Sequence, residues 1–409
     1  MKEPMRAGAG RGLRRATSRS RAPWAVAAIV GAAAMMAPTT AVAAATSAPA
    51  ARGSLAATYP QISIYGTARV PGQVAAWAVG SDTTSSSITK GIIYKASAQS
   101  WKSVPLPSIA GSATYLSSVT ASSSTDAWAA GWAHYSGADH GLLLHWNGTA
   151  WRQATIATPA AMGKISALGN ITSTGKDTFV AFVTASTSPN HYHQRLVAFN
   201  GKKWSDISPT GLPPSPLIDS LAASSPKNIW AVSAYFKSGS NNPVDVTYVY
   251  NGRWRTVTMP KSLSLVTDVS ALASNDVWVA GENGGPLSPK TYPVAAHYNG
   301  SSWTVQRQPS SAQGTVLGIG GLSGTDAFGI GAYMTGGVIF QRYNGSSART
   351  VSTAWPSHLG NGLVVSSLVV HSPSRMWAIA TAWSGTPYSS TQYTYGLYYN
   401  GTKWVSTKL

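Results

Sequence analysis

The chain has 409 residues, a formal net charge of +18 and no cysteine, so no disulfide framework supports it and stability has to come from burial alone. Its length exceeds what one compact core organises, which leaves several domains or a modular ring. Only 12 residues are acidic, and chemistry that needs many converging carboxylates is poorly supplied.

Residues 1–43 read as a secretory signal peptide: Lys2, Arg6, Arg11, Arg14, Arg15, Arg19 and Arg21 lead into an apolar run from Trp24 to Met36, and Ala41-Val42-Ala43 offers a cleavage site. Arg14-Arg15 is followed by Ala16-Thr17-Ser18 and lacks the apolar pair of a twin-arginine signal. No later stretch has the roughly 20 unbroken apolar residues of a membrane helix, so the expected location is extracellular or cell-wall associated. Cleavage leaves 23 basic and 11 acidic residues, a net charge of +12. That balance favours polyanions at the envelope. It lacks the dense Lys/Arg cluster that nucleic acid requires.

Residues 44–61, rich in Ala, Ser, Thr and Pro, read as a flexible leader. From residue 62 to 409 one pattern recurs, anchored at Trp77, Trp128, Phe179, Trp230, Trp278, Phe328 and Trp377, with spacings of 51, 51, 51, 48, 50 and 49 residues. Such a period marks a repeat architecture. Each unit accommodates four strands. A first strand precedes the anchor, as in Leu116 to Ala121. The second carries it within tiny and apolar residues, as in Trp77-Ala78-Val79-Gly80, which suits a strand covered on both faces.

The third strand ends in an aromatic residue before Asn-Gly at Trp146, Phe199, Tyr250, Tyr298, Tyr343 and Tyr399. Asn-Gly supports a tight hairpin into the fourth strand. There Trp151, Trp204, Trp254, Trp303 and Trp404 pair across the turn with the aromatic residue. The first unit has Ser97-Ala98 in place of Asn-Gly, and the sixth has Ala348 in place of Trp. The expected fold is all-β: a seven-bladed β-propeller with four antiparallel strands per blade and a repeat of about 50 residues. Sustained helical periodicity is missing, which disfavours a helical solenoid.

His145-Trp146-Asn147-Gly148-Thr149-Ala150-Trp151, with Asp126-Ala127-Trp128-Ala129-Ala130-Gly131 before it, resembles the Asp-box repeat of sialidase-type and photosystem-assembly-factor-type propellers. The box Asp is Asn here, at Asn147, Asn200, Asn251, Asn299, Asn344 and Asn400. In that family the boxes are fold elements, so the resemblance implies architecture and carries over no catalytic residue. Sialidase chemistry would need an Arg cluster and a Tyr with a Glu partner, and the only Glu after the signal is Glu282, in the turn-like Glu282-Asn283-Gly284-Gly285. A galactose-oxidase-like copper centre would need a Cys. Asp126, Asp177, Asp276 and Asp326 share one repeat position, where Asp commonly bonds turn backbone. His191-Tyr192-His193 is a weak metal pattern, and neither metal nor cofactor is expected.

The candidate binding residues lie between the second and third strands, where units diverge most. Blade two offers Trp132, His134 and Tyr135, and blade three His191, Tyr192 and His193. Later blades add Tyr235, Tyr292, Tyr333, Trp383 and Tyr388. In propellers these connections share a face with those from fourth to first strands. Aromatic rings beside polar loops suit sugars and extended peptides. The sequence therefore points to a secreted, non-catalytic, monomeric module that binds an envelope polysaccharide, another extracellular glycan or a protein partner. The alternative is a propeller glycoside hydrolase or polysaccharide lyase acting on an acidic glycan.

Overall fold

A computed structural model describes residues 61–83, 88–155, 164–175, 179–188, 191–208, 217–236, 243–284, 290–359, 363–386 and 389–409. The signal segment, the leader up to residue 60, Asp177 and Tyr388 lie outside the described residues, and Gln61, expected in the leader, opens the first strand. No helix among the described residues is long and apolar enough to cross a membrane.

Among the described residues, twenty-eight strands form seven four-stranded antiparallel sheets, each built from four consecutive strands. The first sheet contains β1 (Gln61–Arg69), β2 (Ala75–Thr83), β3 (Thr89–Ser97) and β4 (Ser100–Ser103). The second contains β5 (Ala113–Ala121), β6 (Ala127–Tyr135), β7 (Ala138–Trp146) and β8 (Trp151–Ala154). The series continues to β25 (Val364–Ser372), β26 (Arg375–Thr386), β27 (Ser389–Tyr399) and β28 (Trp404–Lys408). First strands pack against one another in the order β1, β5, β9 (Lys164–Ser173), β13 (Leu217–Ser225), β17 (Leu265–Ala273), β21 (Gly314–Ser323) and β25, and β25 returns to β1. The blade count follows from the sheets themselves.

Packing explains the repeated aromatic positions. Trp77, Trp230, Trp278 and Trp377 are fully buried in the second strands. Trp77 meets Trp146 and Trp151 of the next blade edge-on at 5.2 and 5.1 Å, and Trp230 meets Tyr298 and Trp303 at 5.3 and 5.9 Å. In these two cases the aromatic pair flanking the Asn-Gly turn is the floor on which the preceding anchor rests, and edge-to-face contact is the favoured geometry for such rings. Three residues beyond the anchor, Gly131 faces a bulge in β5 between Leu116 and Ser118, and a Cβ there would stand 1.9 Å from the Tyr115 carbonyl oxygen. This close approach is why the anchor strand carries such small residues.

The Asn-Gly turns differ from a two-residue hairpin. Trp146 pairs with Trp151, leaving a four-residue loop in which Asn147 Oδ1 accepts the backbone N–H groups of Thr149 and Ala150, both at 3.0 Å. Gly148 alone takes a positive φ, at 97°. Asn200, Asn299, Asn344 and Asn400 cap their loops in the same way. Side-chain capping, as in an Asx turn, replaces the backbone angles expected of Asn.

Adjacent blades are also stapled near the axis, where side chains of one first strand accept backbone N–H groups of the next. Ile171 N–H donates to Ser118 Oγ at 3.2 Å, Val269 N–H to Ser220 Oγ at 3.2 Å, and Ile319 N–H to Asp268 Oδ2 at 2.9 Å. Closure from the last blade to the first involves no exchanged strand: β1 stays in the first sheet. Gln61 Nε2 donates to Gln392 Oε1 at 2.9 Å, Thr394 Oγ1 donates to the Ile62 carbonyl, and Trp101 lies over Gly396.

Candidate functional site

One face of the ring carries the hairpins from second to third strands together with the connections from fourth to first strands. In blade two β6 runs to Tyr135 and β7 starts at Ala138, so the hairpin is only Ser136-Gly137, with φ of 52° and 74°. Two consecutive positive φ values are the mark of a tight I′-type turn. Trp132, His134 and Tyr135 therefore belong to a strand, where loops were expected.

Strand alternation divides this tip into two sides. Toward blade one, Trp132 stacks on Tyr115 at 4.2 Å and 22°, and Tyr115 Oη donates to Thr89 Oγ1 at 3.1 Å. On the same side His134 Nδ1 lies 2.7 Å from Asp139 Oδ1. Toward blade three, Tyr135 stacks on His140 at 3.6 Å and 11°, and His140 Nε2 lies 3.5 Å from Lys164 Nζ. Desolvation, with the Lys164 charge second, holds the His140 imidazole below its ordinary pKa and favours its neutral form. Tyr135 is 36% exposed and Trp132 is half-buried. The tip thus offers two aromatic pairs rimmed by a His–Asp couple and a Lys.

The other candidates are more dispersed. Tyr292 opens β19 (Tyr292–Tyr298) and is half-buried, while Tyr333 closes β22 (Asp326–Tyr333) and packs on the core between blades five and six. His191, Tyr192 and His193 lie in β11 (His191–Phe199), opposite Ser188, Ser186 and Ala185. Tyr235 lies in β14 (Asn228–Phe236) opposite Val244, and Trp383 in β26 opposite Gln392. For these five the backbone alone is described.

Sequence reasoning missed Tyr115, Asp139, His140 and Lys164. Asp139-His140 at the start of the third strand was a visible signal. The Tyr115 contribution depends on its cross-strand pairing with Trp132, and that of Lys164 on a neighbouring blade.

Asp126, Asp276, Asp326 and Glu282 take structural partners, and their placement corrects two expectations. Asp126 bonds His145 Nε2 at 2.7 Å, Asp276 bonds His297 Nε2 at 2.9 Å, and Asp326 takes Arg342 Nε at 2.6 Å. These partners are third-strand side chains, where turn backbone was expected. Ser122 Oγ donates to Asp126 rather than to the imidazole, so it is not arranged as an activated nucleophile. Glu282 lies in β18 (Asp276–Asn283), not in a turn, is 6% exposed, and accepts the Thr315 hydroxyl. Burial raises its pKa. Among the described residues no group of three or more His, Asp or Glu side chains could hold a metal ion.

No protein-family model matches the chain, and no curated protein matches it. Solved structures similar to it include the Pyrococcus horikoshii acylaminoacyl peptidase, with a TM-score of 0.51 at 6% identity over 83% of this chain and 52% of that one. Such identity speaks to the fold alone, and the chain spans about half of that enzyme's length. YCF48 bound to D1 peptide matches at a TM-score of 0.49 and 13% identity over 79% of this chain and 92% of that one. A PL25 ulvan lyase, a polysaccharide lyase bound to a GlcA(1-4)Rha3S unit, matches at a TM-score of 0.49 and 9% identity over 83% and 93%.

Proposed function

We propose that the protein is an exported, non-catalytic binding module that recognises an extracellular glycan, with envelope polysaccharide as the ligand class, through the hairpin face of its ring. The observation that carries this reading is the pair of ring stacks at the tip of blade two, Trp132 on Tyr115 and Tyr135 on His140. Aromatic faces supply apolar area for sugar C–H surfaces, and the flanking His134, Asp139 and Lys164 supply the few polar groups that orient a ligand. A binding rather than catalytic role is supported by the carboxylates. Hydrolysis of a glycosidic bond most often uses two carboxyl groups roughly 5 to 9.5 Å apart, whereas Asp126, Asp139, Asp276 and Asp326 are each paired with a basic side chain.

The test is retention of the mature chain on cell-wall polysaccharide, peptidoglycan and acidic glycans, at low and high salt, with product analysis of the same samples. Retention in high salt without released products supports recognition through the aromatic tip, since screening removes exposed ion pairs. Released oligosaccharides would replace this reading with a lyase or hydrolase. Loss of all retention in salt would remove the aromatic tip from the account.

A further inference from the structure

The positive charge of this chain is concentrated at one place in the fold. The fourth strands form the outer edges of the blades, and with the turns that lead into them they carry nine cations and one carboxylate, Asp206. That is +8 of the +11 carried by residues 61–409. Lys102, Arg152, Arg255 and Arg349 occupy the same position in four blades, one residue after the inward Trp or Ala. Lys202, Lys203, Arg253 and Lys403 stand in the preceding turns, and all eight of these side chains are exposed.

Protection of sheet edges accounts for only part of this. Charge on an edge strand, Lys above all, blocks edge-to-edge pairing, but Lys202, Lys203, Arg253 and Lys403 stand in turns and protect no edge. Register makes the pattern more costly: Lys95 lies directly opposite Lys102, and Arg342 directly opposite Arg349. Like charges across neighbouring strands are destabilising, and Asp326 offsets only the Arg342 half of the second pair. A repeated, one-signed arrangement held against its own repulsion is an interaction surface.

We propose that the outer edge of the ring is a belt that binds a linear anionic polysaccharide. Four strands about 4.8 Å apart, added to the axial channel, set the cations of neighbouring blades roughly 20 Å apart. This exceeds the screening length of about 8 Å at physiological salt. Each blade therefore contributes a weak, independent contact, and affinity comes from one long chain meeting several blades at once. Nucleic acid, whose backbone charges are far more closely spaced, would call for denser cations. The belt is separate from the aromatic tip and does not depend on it.

The experiment uses the full mature chain and fluorescein-labelled dextran sulfate of graded length, with neutral dextran as control, read by polarisation across a salt series. Binding that strengthens with polymer length and weakens steadily with salt is expected, and a sulfated disaccharide should not compete. Lys102→Glu, Arg152→Glu, Arg255→Glu, Arg349→Glu and Lys403→Glu together should weaken binding by at least about tenfold. Arg152→Gln, Arg255→Gln and Arg349→Gln made singly, each checked for an unchanged melting temperature, should give graded losses. Trp132→Ala should leave this binding intact, which separates failure of the belt from failure of the aromatic tip. Equal binding by the charge-reversed chain, equal binding of neutral dextran, or full competition by the disaccharide would each overturn the proposal.

Discussion

Closure of the ring makes a sharp prediction at Gly396. In β27 this residue faces Trp101 of the first blade, and a Cβ added there would lie 2.2 Å from Trp101 Cδ1 and 2.5 Å from Cγ and Nε1. The indole cannot swing away freely, because Trp101 is 5% exposed and packs in a cluster with Trp377, Ile379 and Tyr398. Gly396→Ala therefore has to displace a rigid ring or separate the two blades. Overpacking of this kind costs about 1–3 kcal/mol. At about 2–4 °C per kcal/mol in a large domain, the melting temperature should fall by roughly 2–12 °C. Gly91→Ala in β3 is the control: its Cβ would meet the Leu116 side chain at 3.2 Å, a softer neighbour. Urea denaturation of both variants, with m compared to detect loss of cooperativity, gives the comparison. If Gly396→Ala is no more destabilising than Gly91→Ala, the seam is not packed as described.

Asp268 predicts an unusual pH dependence. Burial raises its carboxyl to about 6, against hydrogen bonds from Ile319 N–H, Val269 N–H and Ser220 that pull it down. A raised carboxyl pKa means the folded chain binds the proton first, so this group's contribution makes the ring more stable as pH falls from about 6 toward 4. At about 1.4 kcal/mol per pKa unit the gain is about 3 kcal/mol. Asp268→Asn should flatten stability between pH 4 and 7 in thermal melts, and an unchanged slope would contradict this. Asn147→Ala removes an acceptor shared by two backbone N–H groups and should cost about 1 kcal/mol, measurable in urea. Asn251→Ala should cost less, because Tyr250 pairs with Trp254 across a loop one residue shorter.

The parts of the fold legible in the sequence were those coded by local repetition. Anchor spacing, the aromatic residue before Asn-Gly and the returning Trp are each set within one blade, and the strand register places Trp146 opposite Trp151. What escaped the sequence depends on partners about 50 residues away. Ser118 looks like any strand serine until Ile171 N–H is seen to need it, and Asp126 looks like a turn residue until His145 reaches it. The site was half legible for the same reason. Trp132 and Tyr135 were found by type and position, whereas Tyr115 and Lys164 enter through pairing and neighbouring packing. Ser136-Gly137 is a weaker turn signal than Asn-Gly, so the strands were read as ending too early.

The measurement that bears most directly on function compares the unchanged chain with the Trp132→Ala, Tyr135→Ala double variant for retention on purified envelope polysaccharide in high salt, with the soluble fraction analysed for released sugars. The account predicts retention of the unchanged chain, loss in the double variant at an unchanged melting temperature, and no released oligosaccharide from either. Equal retention of both chains, or sugar release by the unchanged chain, would contradict it.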